Sequence, residues 1–116
     1  MGYKISTEVE IVFETADYDN NIISLTRPAW FHILDGRGTE FVNFLDDIQK
    51  TVEKPDYIGS DKKNKDCKVY IKEDSGDRRF SARYLLVFVN ENGNITSSRF
   101  DTKINFPNQK KIKYKL

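Results

Sequence analysis

The sequence predicts an α+β domain: an N-terminal hairpin or strand, two helical segments, then a four- to five-stranded antiparallel sheet. Three observations carry this. The chain opens on apolar and polar residues in alternation, continues through a stretch with helical spacing punctuated by proline and glycine, and ends in short β-rich runs separated by turn signals. Its 116 residues have the size of a single domain, spanning residues 1–116, and eight Phe, six Tyr and one Trp supply bulky core material.

The elements follow in order. Tyr3, Ile5, Thr7, Val9, Ile11 and Phe13 alternate with polar residues, the period of a half-buried strand, with Val12 only blurring its end. Residues 17–21 (Asp-Tyr-Asp-Asn-Asn) read as a turn and Ile22 to Leu25 as the returning strand. Thr26 is placed to cap a helix from about Arg27 to Leu34, with Pro28 tolerated in its first turn and Gly36 and Gly38 closing it. Thr39 is expected to cap a second helix running to about Glu53. Its Phe41, Leu45, Ile48 and Val52 stripe faces the core, and Pro55 stops it.

Gly59 to Asp66 reads as a polar, lysine-rich loop, and Lys68 to Glu73 as a strand. The most apolar run, Tyr84 to Val89, belongs inside the sheet. Asn90-Glu91-Asn92-Gly93 then marks a tight turn into a strand from about Asn94 to Phe100. Beyond Pro107-Asn108, Ile112, Tyr114 and Leu116 alternate with lysines in a final edge strand.

Composition narrows the function. No apolar stretch approaches the roughly 20 residues of a membrane span, and the N-terminus lacks the pattern of a signal peptide, so a cytoplasmic protein is expected. One cysteine, Cys67, allows no internal disulfide and no cysteine-rich zinc site. Neither a phosphate-binding nor a dinucleotide-binding glycine motif is present, and scattered carboxylates suggest no ligand set, so neither metal nor cofactor is expected. The net charge of +1 conceals an asymmetry: residues 1–58 carry five Lys/Arg against eleven Asp/Glu, and residues 59–116 carry fourteen against seven. The later half could present a basic face to a polyanion, or its cations could simply solubilise exposed strands.

Chemistry centres on a few side chains. His32 is the sole histidine, and imidazole is the side chain most suited to proton transfer near neutral pH, although a lone helical histidine is more often a surface or packing residue. Arg37, between two glycines, can approach a phosphate closely and bond it with two donors. Alternation sets Tyr70 and Lys72 on one face of their strand, where both could line a cleft; cross-strand packing and a solvated ammonium are the simpler account. Thr96 and Ser97, on what reads as a central strand, offer hydroxyls for a phosphate or ribose. Arg83 and Arg99 could add diffuse attraction for a phosphate backbone.

The order of several pieces resembles a known family. Leu25-Thr26-Arg27-Pro28-Ala29-Trp30-Phe31-His32-Ile33-Leu34, a helix ending near Thr51, and Lys54-Pro55-Asp56-Tyr57-Ile58 look like the phage-associated nucleases of the barnase, EndoU, colicin and RelE (BECR) superfamily. Tyr70, then Leu85-Leu86-Val87-Phe88-Val89, then Ile95-Thr96-Ser97 continue the resemblance, which covers about residues 22–100. It implies two helical segments packed on an antiparallel sheet whose open face binds RNA, and metal-free cleavage in which the ribose 2′-OH attacks the adjacent phosphorus. By resemblance His32 is the acid or base, Tyr70 a substrate or proton contact, and Thr96 or Ser97 a phosphate contact. Where the family commonly has a second histidine followed by proline, this chain has Arg37-Gly38, which would give Arg37 the charge-stabilising role. The expected activity is that of a ribonuclease-like toxin or phage effector, with RNA as partner. The alternative is a non-catalytic module binding a protein, as an immunity factor or an inhibitor of host defence does.

Overall fold

A computed structural model describes residues 10–73 and 84–114. The expectations for the start of the first strand, the turn at 74–77, the lead-in to the apolar strand and Arg83 lie outside the described residues. The architecture is the α+β fold read from the sequence: a hairpin, two helical segments, and a five-stranded antiparallel sheet.

Strands β1 (Ile11–Ala16) and β2 (Ile22–Thr26) form the hairpin. Its register steps two residues on β1 against one on β2 between Ile11 and Phe13, so Val12 is the extra residue of a bulge. Strict alternation would pair Ile11 with Phe13 on the core side. Instead the bulge brings Val12 and Phe13 against the core and leaves Ile11 in solvent.

Helix α1 (Arg27–Arg37) starts as expected, the Thr26 hydroxyl accepting the Ala29 N–H. It runs three residues past Leu34, with Gly36 inside it. Its end falls at Gly38, whose φ of +96° suits glycine and whose N–H reaches the Leu34 carbonyl.

Thr39 caps nothing. Thr39–Phe44 is a 3-10 segment, and α2 (Leu45–Glu53) begins only after it. The tighter winding lets Phe41 and Phe44, three residues apart, project together into the core. Their rings meet Phe100 of the sheet at centroid distances of 5.7 and 4.9 Å. Packing across the fold thus overrides the local cap signal.

The sheet runs β6-β5-β4-β3-β7, every pair antiparallel, from β3 (Tyr57–Ser60), β4 (Lys68–Glu73), β5 (Tyr84–Val89), β6 (Ile95–Asp101) and β7 (Lys110–Lys111). Two corrections to the sequence reading follow. Gly59 and Ser60 belong to a strand between β4 and β7 rather than to the lysine-rich loop, which starts later. The strand bearing Thr96 and Ser97 is an edge of this sheet, not its centre. The final edge strand also comes earlier than expected, and the Ile112 N–H turns to the Asp56 carbonyl.

Both faces of the sheet are covered. Trp30, Ile33, Phe41, Phe44, Ile48 and Val52 pack on one, against Tyr70, Leu85, Val87, Val89 and Ile95. On the other, Phe106 and Ile104 of the C-terminal segment close over Val69, Ile71, Leu86 and Phe88. The resemblance implied an open RNA-binding face here; a strand face carrying only apolar side chains at this point requires a cover instead.

Two contacts weld the hairpin to the sheet. The Ser24 N–H bonds the Gly93 carbonyl at 2.9 Å, in a parallel bridge between Ser24 and Asn94. Gly93 has a φ of +82°, and a Cβ there would lie 2.5 Å from the Ile22 carbonyl oxygen. The second contact is buried: the Asp17 carboxylate, 4% exposed, accepts the Tyr70 hydroxyl at 2.6 Å and the backbone N–H groups of Asp19 and Asn21 at 2.8 Å each.

Burial alone would raise the Asp17 pKa. The hydrogen bonds from Tyr70, Asn21 and Asp19 outweigh it and hold the group below its ordinary value. A carboxylate with a depressed folded-state pKa contributes stability that is present above its unfolded value and lost as pH falls through the folded one.

Tyr70→Phe should therefore lower the unfolding free energy in urea titration by about 1–3 kcal/mol. Asp17→Asn should flatten the loss of stability below about pH 4; an unchanged acid limb would remove Asp17 from this role. Gly93→Ala should cost more than about 1 kcal/mol by the same assay, through both the clash and the strained φ.

Candidate functional site

Helix α1 lies against the edge strand β6, and five of the eight residues singled out in the sequence are carried by these two elements. His32 is exposed on α1. Arg37, in the last turn, donates from Nε to the Ser98 carbonyl at 3.1 Å and so pins the helix end to the strand. The two are five residues apart, which at 3.6 residues per turn sets them about 140° apart around the axis. Trp30 and Ile33 are buried, so Arg37 continues the inward side of the helix while His32 faces outward.

On β6, Thr96 is the extra residue of a bulge: Phe88 pairs with Ser97, and Val89 with Ile95. It is exposed, and its Oγ1 reaches the Phe88 carbonyl at 3.4 Å. Ser97 and Arg99 pair with Phe88 and Leu86, which belong to the face covered by the C-terminal segment. The Arg99 guanidinium lies 5.0 Å from the Phe88 ring centroid and 3.8 Å from the Asp101 carboxylate. Between helix and strand opens a shallow cavity of about 240 Å³, lined by Gly36, Arg37, Phe41, Arg99 and Phe100. His32 is not among its lining residues.

Tyr70 and Lys72 stand on the opposite face. They pair with Val87 and Leu85, under the helices, sharing one face of their strand as alternation required. Tyr70 borders a cavity at the seam between hairpin and sheet, of which Lys72 is not a lining residue. Tyr70 is 1% exposed; burial, and then its bond to Asp17, push the phenol well above its usual pKa. The hydroxyl proton is committed to the Asp17 carboxylate at 2.6 Å. Lys72 Nζ is held by the Asp56 carboxylate at 3.4 Å and the Lys54 carbonyl at 3.3 Å. The sheet thus separates Tyr70 and Lys72 from Ser97 and Arg99. Arg83 lies outside the described residues.

Sequence reasoning missed Asp17, the partner that explains Tyr70. A signal existed, because Asp17 precedes Asn20-Asn21 in a turn of the kind where an aspartate accepts N–H groups two and four residues on. It pointed to the turn and not to the tyrosine 53 residues away. A second cavity, about 230 Å³, sits at the seam between hairpin and sheet, bordered by Asn21, Ile22, Asp66, Lys68, Asn90 and Gly93. Its Asn90 side chain serves its own turn, accepting the Asn92 and Asn94 N–H groups. Among the described residues no group of three or more His, Cys, Asp or Glu could hold a metal ion, and no helix is long and apolar enough to cross a membrane.

Comparison with family models, with curated proteins and with solved structures finds no match for this chain.

Proposed function

We propose that this chain is a non-catalytic binding module built on a ribonuclease-like scaffold, of phage or mobile-element origin. The observation that carries it is the division of the expected site residues by the sheet, Tyr70 and Lys72 lying under the helices and Ser97 and Arg99 on the other face. Metal-free cleavage at phosphorus needs proton-transfer and charge-stabilising groups within hydrogen-bond reach of one phosphate. Here the Tyr70 hydroxyl is consumed by Asp17, Lys72 by Asp56, and one Arg37 donor by the Ser98 carbonyl. An immunity factor or an inhibitor of host defence is the kind of role such a module would serve.

A second reading, a metal-independent ribonuclease cutting RNA by 2′-OH attack, is favoured by the packing of α1 on β6. That packing joins the two elements that carry His32, Arg37 and Thr96. In it His32 exchanges the proton, the free donors of Arg37 stabilise charge on phosphate oxygens, and Tyr70 takes no part.

Incubation of purified protein with total RNA in EDTA, beside His32→Ala and Arg37→Ala, separates the two. The module reading expects intact RNA in all three samples. Cleavage by the wild type that disappears in His32→Ala overturns it in favour of the ribonuclease, and cleavage retained by both variants overturns it in favour of an enzyme with another site.

A further inference from the structure

The geometry points to a second surface, distinct from the α1–β6 junction: the β3–β7 edge of the sheet is a docking surface for the phosphate backbone of single-stranded RNA. This goes beyond the binding-module reading and holds whether or not the chain cleaves. β7 lies four strand spacings from β6, about 19 Å at the usual inter-strand distance. Residues 102–114 carry Lys103, Lys110, Lys111 and Lys113 with no acidic residue, and all four are exposed. The loop after β3 adds exposed Lys62, Lys63 and Lys65 beside them. Loop and C-terminal segment are joined directly: the Ser60 N–H bonds the Pro107 carbonyl at 2.7 Å, the Asn108 side chain reaches the Ser60 hydroxyl at 3.3 Å, and Lys62 Nζ lies 5.6 Å from the Phe106 ring centroid.

Three features distinguish this edge from a merely solubilised one. First, none of these seven lysines pairs with a carboxylate among the described residues. Asp61 accepts the Lys63 N–H, and Asp56 is committed to Lys72 and the Glu73 N–H; with Asp66, exposed beside Lys65, these three acids stand against seven lysines. Second, the segment is held rigidly. Phe106 is buried, the Gln109 side chain accepts the Phe106 N–H, the Ile112 N–H bonds the Asp56 carbonyl, and the Tyr114 hydroxyl bonds the Pro55 carbonyl. A backbone already ordered loses little further entropy on engaging a ligand. Third, Lys110 pairs with Ile58 and Lys111 with Tyr57, so the edge carries ammonium groups on both sides. One or two inward charges suffice to guard a two-residue edge strand against pairing. A row that continues into a neighbouring loop exceeds that need and fits a flexible chain of phosphates running along the edge.

The test is fluorescence anisotropy in EDTA with a labelled 2′-O-methyl RNA strand of about 20 nucleotides, long enough to span a typical single-strand site. That strand cannot undergo 2′-OH attack, so binding is read separately from cleavage. Lys110→Gln, Lys111→Gln and Lys113→Gln combined should weaken binding and reduce the slope of log K against log salt by about 2, at about 0.7 per lost contact on a single strand. Arg27→Gln with Lys50→Gln, removing charge from the helices, should leave that slope unchanged. An unaltered slope in the triple variant with its thermal midpoint intact, or absence of binding by the wild type, overturns the inference. So does displacement of the RNA by poly-glutamate at equal charge concentration, which would assign the edge to an acidic protein. None of these results bears on the cleavage assay, so the two readings fail separately.

Discussion

A carboxylate taken out of water must be compensated where it lies, and in this fold Asp17 meets that requirement with four hydrogen bonds, one from a tyrosine in the middle of the sheet. That constraint connects the parts. The β1–β2 turn is held over β4, the hairpin is held against the β5–β6 turn by Ser24 and Gly93, and the Arg27 N–H at the start of α1 bonds the Glu10 carbonyl beside the hairpin. The helices that follow are therefore delivered onto the face that contains Tyr70. Leaving the carboxylate without its tyrosine would expose a buried charge to an unpaired position, which costs more than the bond itself contributes.

The sheet then acts as a partition. β4 and β5 are apolar on both sides, so each face demands its own cover: helices and aromatic rings on one, the C-terminal segment with Phe106 on the other. Covering both faces leaves β6 and β7 as the two edges of the sheet. At β6 the neighbour is helix α1, with Arg37 tied to the strand; β7 itself is two exposed lysines. The acidic N-terminal half supplies the hairpin, the helices and the start of β3, and the basic half supplies the rest of the sheet, so the charge asymmetry of the sequence becomes an asymmetry in space.

Local signals were read correctly where a single segment decided the outcome. Thr26 caps α1, Pro55 follows the end of α2, Asn90 to Gly93 turns the chain, and the Tyr84–Val89 run lies inside the sheet. They misled where a distant partner intervened. Thr39 reads as a cap, yet two phenylalanines seeking Phe100 wind that stretch into a 3-10 turn. Ile11 reads as inward-facing, yet a bulge displaces it. The site suffered most. Tyr70 and Lys72 share a face as alternation dictates, but periodicity within one strand does not say which face the helices will cover, nor that Ser97 and Arg99 will occupy the other.

By itself the sequence determined the class of fold, the order of its elements and the segregation of charge, because these depend on residue spacing and composition along the chain. Only the tertiary structure decided that Tyr70 is locked to Asp17, that β6 and β7 are the edges, and that the C-terminal segment closes the second face. Those outcomes depend on pairings between distant residues, 53 positions apart for Asp17 and Tyr70 and 59 for Pro55 and Tyr114. Register across strands and burial of a charge are properties of two segments together, and neither segment carries them alone.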